Sequence, residues 1–429
     1  MFSRPTDPSA HPAQALNEPL PPTPLSAPNA TPMSAGLVVL MMSLLLGIQP
    51  VTTDLYLPAL PALAQGFGAA LPQAQLTLSA LLLAFGCSQL VWGPLSDRFG
   101  RRPVLLWGLS AYTLAAIGSA LAPSMALLIT WRVVQGAAMG AVVMCARAIV
   151  RDLYAPVDAA KVMSRGLSGL GVLACLSAPL GGLLSDWMGW RAALLALALF
   201  GAGTLALIAL RFVETVPRKN SMALRPVTLL TTWKHIITHP TFLTFSALTL
   251  ASYGGLFTFL VSSSFVFIKL LGLSNTQYGL VMFAMSFCYI LGTFWCRRLL
   301  PRFGVRKTVG LAAVLSLAGG TTMGVLPLLG VTSSLWSVLL PFLVFMLAHG
   351  VHQPCGQSGA VNPFPTSAGA ASALNGFCMM AAAFAMGGWL ALQGAETVQP
   401  MTNGVWFWSL CIALTAWTAV QRHGDPSTT

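Results

Sequence analysis

From residue 34 to residue 58 the chain reads "SAGLVVLMMSLLLGIQPVTTDLYLP" and carries one charged side chain, Asp54. A helix needs about 20 mostly apolar residues to cross a bilayer core roughly 30 Å thick. Comparable runs recur at roughly 74–95, 103–123, 125–147, 163–184, 190–212, 241–268, 276–296, 307–329, 334–355, 369–392 and 402–421. The expected fold is therefore all-α: a polytopic membrane protein with twelve transmembrane helices. Only 7% of the chain is charged and its mean hydropathy is +0.76, whereas a soluble domain has about 25% charged residues.

The net charge of +12 first suggests a nucleic-acid partner, but the placement of the cations argues against it. Membrane proteins keep Lys and Arg in their cytoplasmic loops. With a cytoplasmic N-terminus, all but three of the 22 Lys and Arg residues fall on the inner side, Arg147 and Arg151 among them. The exceptions are Arg191 and Lys269 outside and Arg132 within a span. Both termini are thus expected in the cytoplasm, with the lipid bilayer as partner and no nucleic acid. The eight cysteines are scattered singly, with no CxxC pair, and read as small core residues.

Residues 1–33 hold nine of the 29 prolines and read as a disordered cytoplasmic tail rather than a signal peptide. Residues 34–212 would form a first six-helix half and 241–421 a second. Between them, 213–240 is a cytoplasmic linker containing an amphipathic "LLTTWKHII", and 422–429 is a short cytoplasmic tail. "RFGRR" at 98–102 and "RFGVRK" at 302–307 follow equivalent spans 204 residues apart, as parallel repeats of two halves would.

The loop "GPLSDRFGRR" offers Gly93 for close helix approach, Gly100 for a tight turn, and Asp97 as a cap for a neighbouring helix N-terminus. Arg101 could pair with Asp152 of "VRDLY". The pattern of Gly93, Asp97, Arg98, Gly100, Arg101 and Arg102 resembles the loop signature of the major facilitator superfamily. Together with "TTDLYLPALP", "RVVQG" (132–136) and "FVET" (212–215), it is similar to the Bcr/CflA drug-resistance subfamily. That resemblance implies two six-helix halves and a loop cluster that balances outward-open and inward-open states. "APLGG", with Ala178, Pro179, Gly181 and Gly182, resembles the antiporter motif of span five but departs from it in its first residue and spacing. Small residues there would still let neighbouring helices approach closely.

Two charged residues, one acid and one arginine, lie deep in spans. An arginine at the depth of Arg132 costs about 2.5–3.5 kcal/mol on insertion scales, so it needs a cavity or a partner. Asp54 is the expected partner, and the two are the proton-coupling candidates. On span one, Gln49, Thr52, Thr53 and Tyr56 share a face, while Asp54 points about 140° from Gln49 on an ideal wheel. A bend at Pro50 could rotate it back. Pro58 would withhold an N–H from the Asp54 carbonyl.

The substrate-cavity candidates are Gln49, Thr53, Tyr56, Gln135, Tyr253, Phe257, His349, His352, Gln353 and Asn375. His349, His352 and Gln353 would form one polar face. Two histidines without a third ligand do not make a metal site, so no metal or other cofactor is expected.

These features point to a proton-coupled exporter of small amphipathic or neutral compounds, working as a monomer by alternating access. Asp54 would alternate between protonated and substrate-bound states. An uptake symporter, or an exporter of one metabolite, stays open because "APLGG" departs from the antiporter pattern. A third alternative is a membrane-embedded enzyme or a scaffold; an enzyme would need a nucleophile–base pair or a metal triad, and neither is evident. No phosphate-binding G-x-x-x-x-G-K-[ST] loop occurs.

Overall fold

The computed structural model describes residues 33–154, 156–216, 226–330, 334–393 and 397–424. Nearly all of the expected N-terminal tail, linker residues 217–225 and residues 425–429 lie outside them. Among the described residues there are helices and no strands, because backbone polar groups in hydrocarbon must pair within their own segment.

The spanning helices are numbered α1 to α12. The first six are α1 (Ala35–Asp54), α2 (Leu71–Phe99), α3 (Arg101–Ala120), α4 (Met125–Leu153), α5 (Pro156–Met188) and α6 (Trp190–Arg211). After α7 (Pro240–Ser264) the helix Asn275–Leu328 runs for 54 residues. At 1.5 Å per residue that is about 80 Å, far more than one bilayer crossing. Gly304 interrupts it with φ 70° and ψ 176°, so it makes two passes: α8 before the break and α9 after it. The chain continues with α10 (Leu335–Val361), α11 (Ala368–Gln393) and α12 (Gln399–Trp417).

The turn between α2 and α3 uses the matching residue: Gly100 has φ 106°, a region open to glycine and costly for other residues. The repeated "RFG" therefore marks the same turn in each half. α1 ends at Asp54, where Pro58 cannot continue the ladder. The chain tightens into a 3-10 turn, Leu57–Ala59, then a short helix, Leu60–Gly66. Ser34, Ser124, Ser274 and Ser334 cap α1, α4, α8 and α10 with their hydroxyls, each worth about 1 kcal/mol. In the linker, Pro226–Ile237 is helical and packs against α7 and α11, with Ile236 buried.

The first six spans pack mainly on one another, as do the last six. The halves meet along two seams, α2 with α11 and α5 with α8. Glycines set the closeness of both. Gly86 faces Met380, and Gly376 faces Gln89. In the "APLGG" segment, Gly182 lies against the backbone of Asn275 and Gly181 against the carbonyl of Leu55, while Ala178 and Pro179 meet Gly279. A Cβ at Gly181 or Gly182 would collide with backbone, which cannot yield as a side chain can.

Candidate functional site

A cavity of about 490 Å³ lies between the halves, lined by α1, α2, α4, α5, α7, α8, α10 and α11. From α1 come Leu46, Gln49, Pro50, Thr53 and Asp54. At 100° per residue these span an arc of about 140°, with Gln49 at one margin and Asp54 at the other. The wheel angle is as expected, yet both residues face the same space, because the cavity wraps around that much of the helix. Thr52 and Tyr56 fall beyond the Gln49 margin and point into the first half. No rotation at Pro50 is required.

The Asp54 carboxylate accepts a hydrogen bond of 2.8 Å from the Thr53 hydroxyl, and its residue is 8% exposed. The other carboxylates among the described residues are engaged elsewhere. Asp97 and Asp152 pair with Arg101, and Asp158 with Lys161. Asp186 binds Asn275 and Thr276, and Glu214 binds backbone N–H groups of α3. Asp54 is the only one of the six that lines the cavity.

Arg132 is not its partner, contrary to the expectation. The guanidinium is fully buried behind α1 and sits 4.2 Å from the centroid of the Tyr56 ring. It donates to Gln135 Oε1 at 2.7 Å and to the Thr52 carbonyl at 3.4 Å. Tyr56 bonds Thr77, and Thr52 bonds Tyr112. The aromatic face and neutral acceptors stand in for a carboxylate. Arg132, Tyr56 and Gln135 thus form a network on the back of α1, and none of them lines the cavity.

Of the other candidates, Tyr253, His349, Gln353 and Asn375 line the cavity, and Phe257 and His352 do not. Phe257 is buried beside Gly387. His349 Nδ1 lies 2.8 Å from the Ser252 hydroxyl, whereas His352 Nε2 meets Ser316 of α9 at 3.1 Å. One turn of α10 therefore sends its two histidines to different neighbours. No cluster of three potential metal ligands occurs among the described residues.

Several lining residues were not anticipated. Gln89, Arg147, Ser286, Tyr289, Gln357 and Ser372 add polar groups, and Met163, Met285, Met346, Met379 and Met380 add thioethers. Arg147 belongs to α4 and not to the loop after it. The signal was present: "MCARAIV" runs apolar on both sides of the arginine.

At one end of the first half, Arg101 reaches Asp152 at 3.0 Å and Asp97 at 2.7 Å. Asp97 was expected to cap a neighbouring helix, but Glu214 does this instead, accepting from Arg101 N at 2.9 Å and Arg102 N at 3.0 Å. Arg102 also reaches the Ala209 carbonyl, Arg98 lies over the Phe99 ring, and Gly93 faces Met144. Burial pushes the Glu214 carboxyl up, but the N–H groups of Arg101, Val216, Arg102 and Thr215 outweigh this and hold it below its ordinary value of 4.5.

Twelve passes in two repeated halves, closing around one cavity with seams at α2/α11 and α5/α8, define a multi-pass transporter of the alternating-access class. The chain belongs to the Major Facilitator Superfamily, whose model matches residues 37–388. It is 30% identical over 339 residues to Multidrug resistance protein D of Escherichia coli, covering 79% of this chain and 84% of that one. It is 27% identical over 369 residues to a bicyclomycin resistance protein homolog of Haemophilus influenzae, covering 86% and 92%. The fold matches the xylose transporter XylE from E. coli with a TM-score of 0.71 at 14% identity, over 91% of this chain and 98% of that one.

Proposed function

We propose that this transporter is a proton-coupled exporter of small amphipathic compounds. It would work as a monomer in the bacterial cytoplasmic membrane, with both termini in the cytoplasm, and carry out no bond-making chemistry. The observation that carries this reading is the place of Asp54, the single carboxylate among the described residues on the wall of a cavity shared by both halves. Outside the cell, the acid takes up a proton and the cargo leaves. The halves then rock, the proton departs inward, and new cargo takes its place. The inward step of each proton contributes about 2.3 kcal/mol per 100 mV of membrane potential. Arg132 holds the back of α1 and so fixes how its front presents Asp54.

The rest of the wall suits varied guests. Methionine is unbranched and polarizable, and it repacks around different shapes with little cost. The resistance-related names of the two relatives support a drug-like cargo.

The test is proton movement in inverted vesicles after addition of a toxic amphipath, chosen by screening an efflux-deficient strain. Substrate-induced proton release is the expected result. Accumulation of the same compound by intact energised cells would instead establish an uptake symporter.

A further inference from the structure

Arg147 is the second charged group on the cavity wall. Between residues 141 and 150 all other positions are buried, and Arg147 alone is partly exposed. The apolar run thus delivers one guanidinium to the interior. An arginine within a span costs about 2.5–3.5 kcal/mol on insertion scales, a cost normally offset by an acidic partner. None is present among the described residues. The ion pairs there join Arg101 to Asp97 and Asp152, and Lys161 to Asp158. The carboxylate on the cavity wall, Asp54, is bonded to Thr53. What Arg147 does hold is a neutral group from the other half: its Nη1 donates to Ser372 Oγ at 2.8 Å. Arg151, one turn further along α4, adds a second positive charge.

We infer that Arg147 and Ser372 form an oxyanion-binding subsite, and that the cargo includes amphipaths carrying a carboxylate. The guanidinium presents a planar fork of donors that matches a carboxylate in bidentate fashion, and a hydroxyl beside it supplies one more donor. Gln89, Gln357 and Asn375, also on the wall, offer neutral polar partners for the remainder of the head group, and the methionines receive the apolar body. Because Arg147 belongs to the first half and Ser372 to the second, a bound anion would be gripped from both sides of the interface. This inference rests on the reading that the cavity carries the cargo.

The test is equilibrium binding of a matched pair of fluorescent probes, dansyl-leucine and its methyl ester. The protein is held in phosphatidylcholine nanodiscs, so that no anionic lipid competes. Wild type is expected to prefer the acid over the ester by about tenfold, one well-placed charged hydrogen-bond pair. Arg147→Gln should bring that ratio near one, Arg147→Lys should keep part of it, and Ser372→Ala should reduce it less. Each variant is checked for a single peak in size-exclusion chromatography. No binding of the acid by wild type overturns the inference, as does an acid-to-ester ratio that survives Arg147→Gln, even if both affinities fall. No proton gradient is used, so a failed export assay leaves this result standing, and an absent preference leaves proton-coupled export standing.

Discussion

Asp186, in the last turn of α5, holds the first turn of α8 through Thr276: one carboxylate oxygen accepts from the Thr276 backbone N–H at 2.9 Å and from its hydroxyl at 2.6 Å. The other accepts from Asn275 Nδ2 at 2.7 Å. An anion at a helix N-terminus is well placed, and here the helix belongs to the opposite half. Replacing the acid with alanine removes three charge-assisted bonds across the seam. Asp186→Ala is expected to shift the population toward states open at this end by about tenfold, the effect of roughly 1.4 kcal/mol. Spin labels at the exposed positions Trp187 and Lys269 would report it as growth of a longer-distance component. An unchanged distance distribution would remove Asp186 from the gate.

Asp54→Asn keeps the shape of the side chain and its contact with Thr53 while removing the titrating proton. Substrate-driven proton release is expected to vanish, with insertion and expression unchanged. Normal drug resistance in that variant at wild-type expression would exclude Asp54 from coupling.

Arg132 is placed to act through structure. Arg132→Lys retains charge but loses the fork that serves Gln135 and the Thr52 carbonyl, and it stacks less well on Tyr56. A loss of about 1–3 kcal/mol in stability is expected, read as a lower unfolding temperature in detergent. The number of protons released per substrate should not change. A changed proton count at full stability would instead make Arg132 part of the coupling.

Glu214 gives a pH signature outside the spans. Its carboxyl is held below 4.5 in the folded protein, so the stability it contributes is fully present above its unfolded value. That contribution is lost as pH falls through the lower folded value. Glu214→Ala should cost about 1 kcal/mol at neutral pH, as loss of a helix cap does. The gap from wild type should close as pH drops below about 4. A gap that stays constant down to about pH 3 would show that the carboxylate charge is not what holds the start of α3.

What could be read in advance followed from local rules. Span length and hydropathy fix where helices cross, and the glycine of each "RFG" marks a turn whatever surrounds it. Asp54 announced itself as an acid in an apolar run. What could not be read was which neighbour a buried side chain meets. Depth alone made Asp54 the natural partner for Arg132, yet an aromatic ring and two neutral oxygens took that role. Asp97 looked like a cap because of its position, while the cap came from Glu214, more than a hundred residues away. His349 and His352 share a helix face on paper, but helices on two sides draw them apart. Arg147 reads as a loop cation, because arginines usually sit in loops, whereas the helix continues past it to Leu153.

Asp54, the carboxylate on the cavity wall, also bears on the electrical side of transport. If Asp54 carries one proton inward per turn, expulsion of a neutral guest moves one charge across the membrane. Expulsion of a carboxylate-bearing guest moves the equivalent of two, since its negative charge leaves as the proton enters. At about 2.3 kcal/mol per charge per 100 mV, the driving voltage would then act twice as strongly on the acidic passenger. The same membrane would sustain a steeper gradient of acids than of neutral compounds, and the current per molecule expelled would report the passenger's charge.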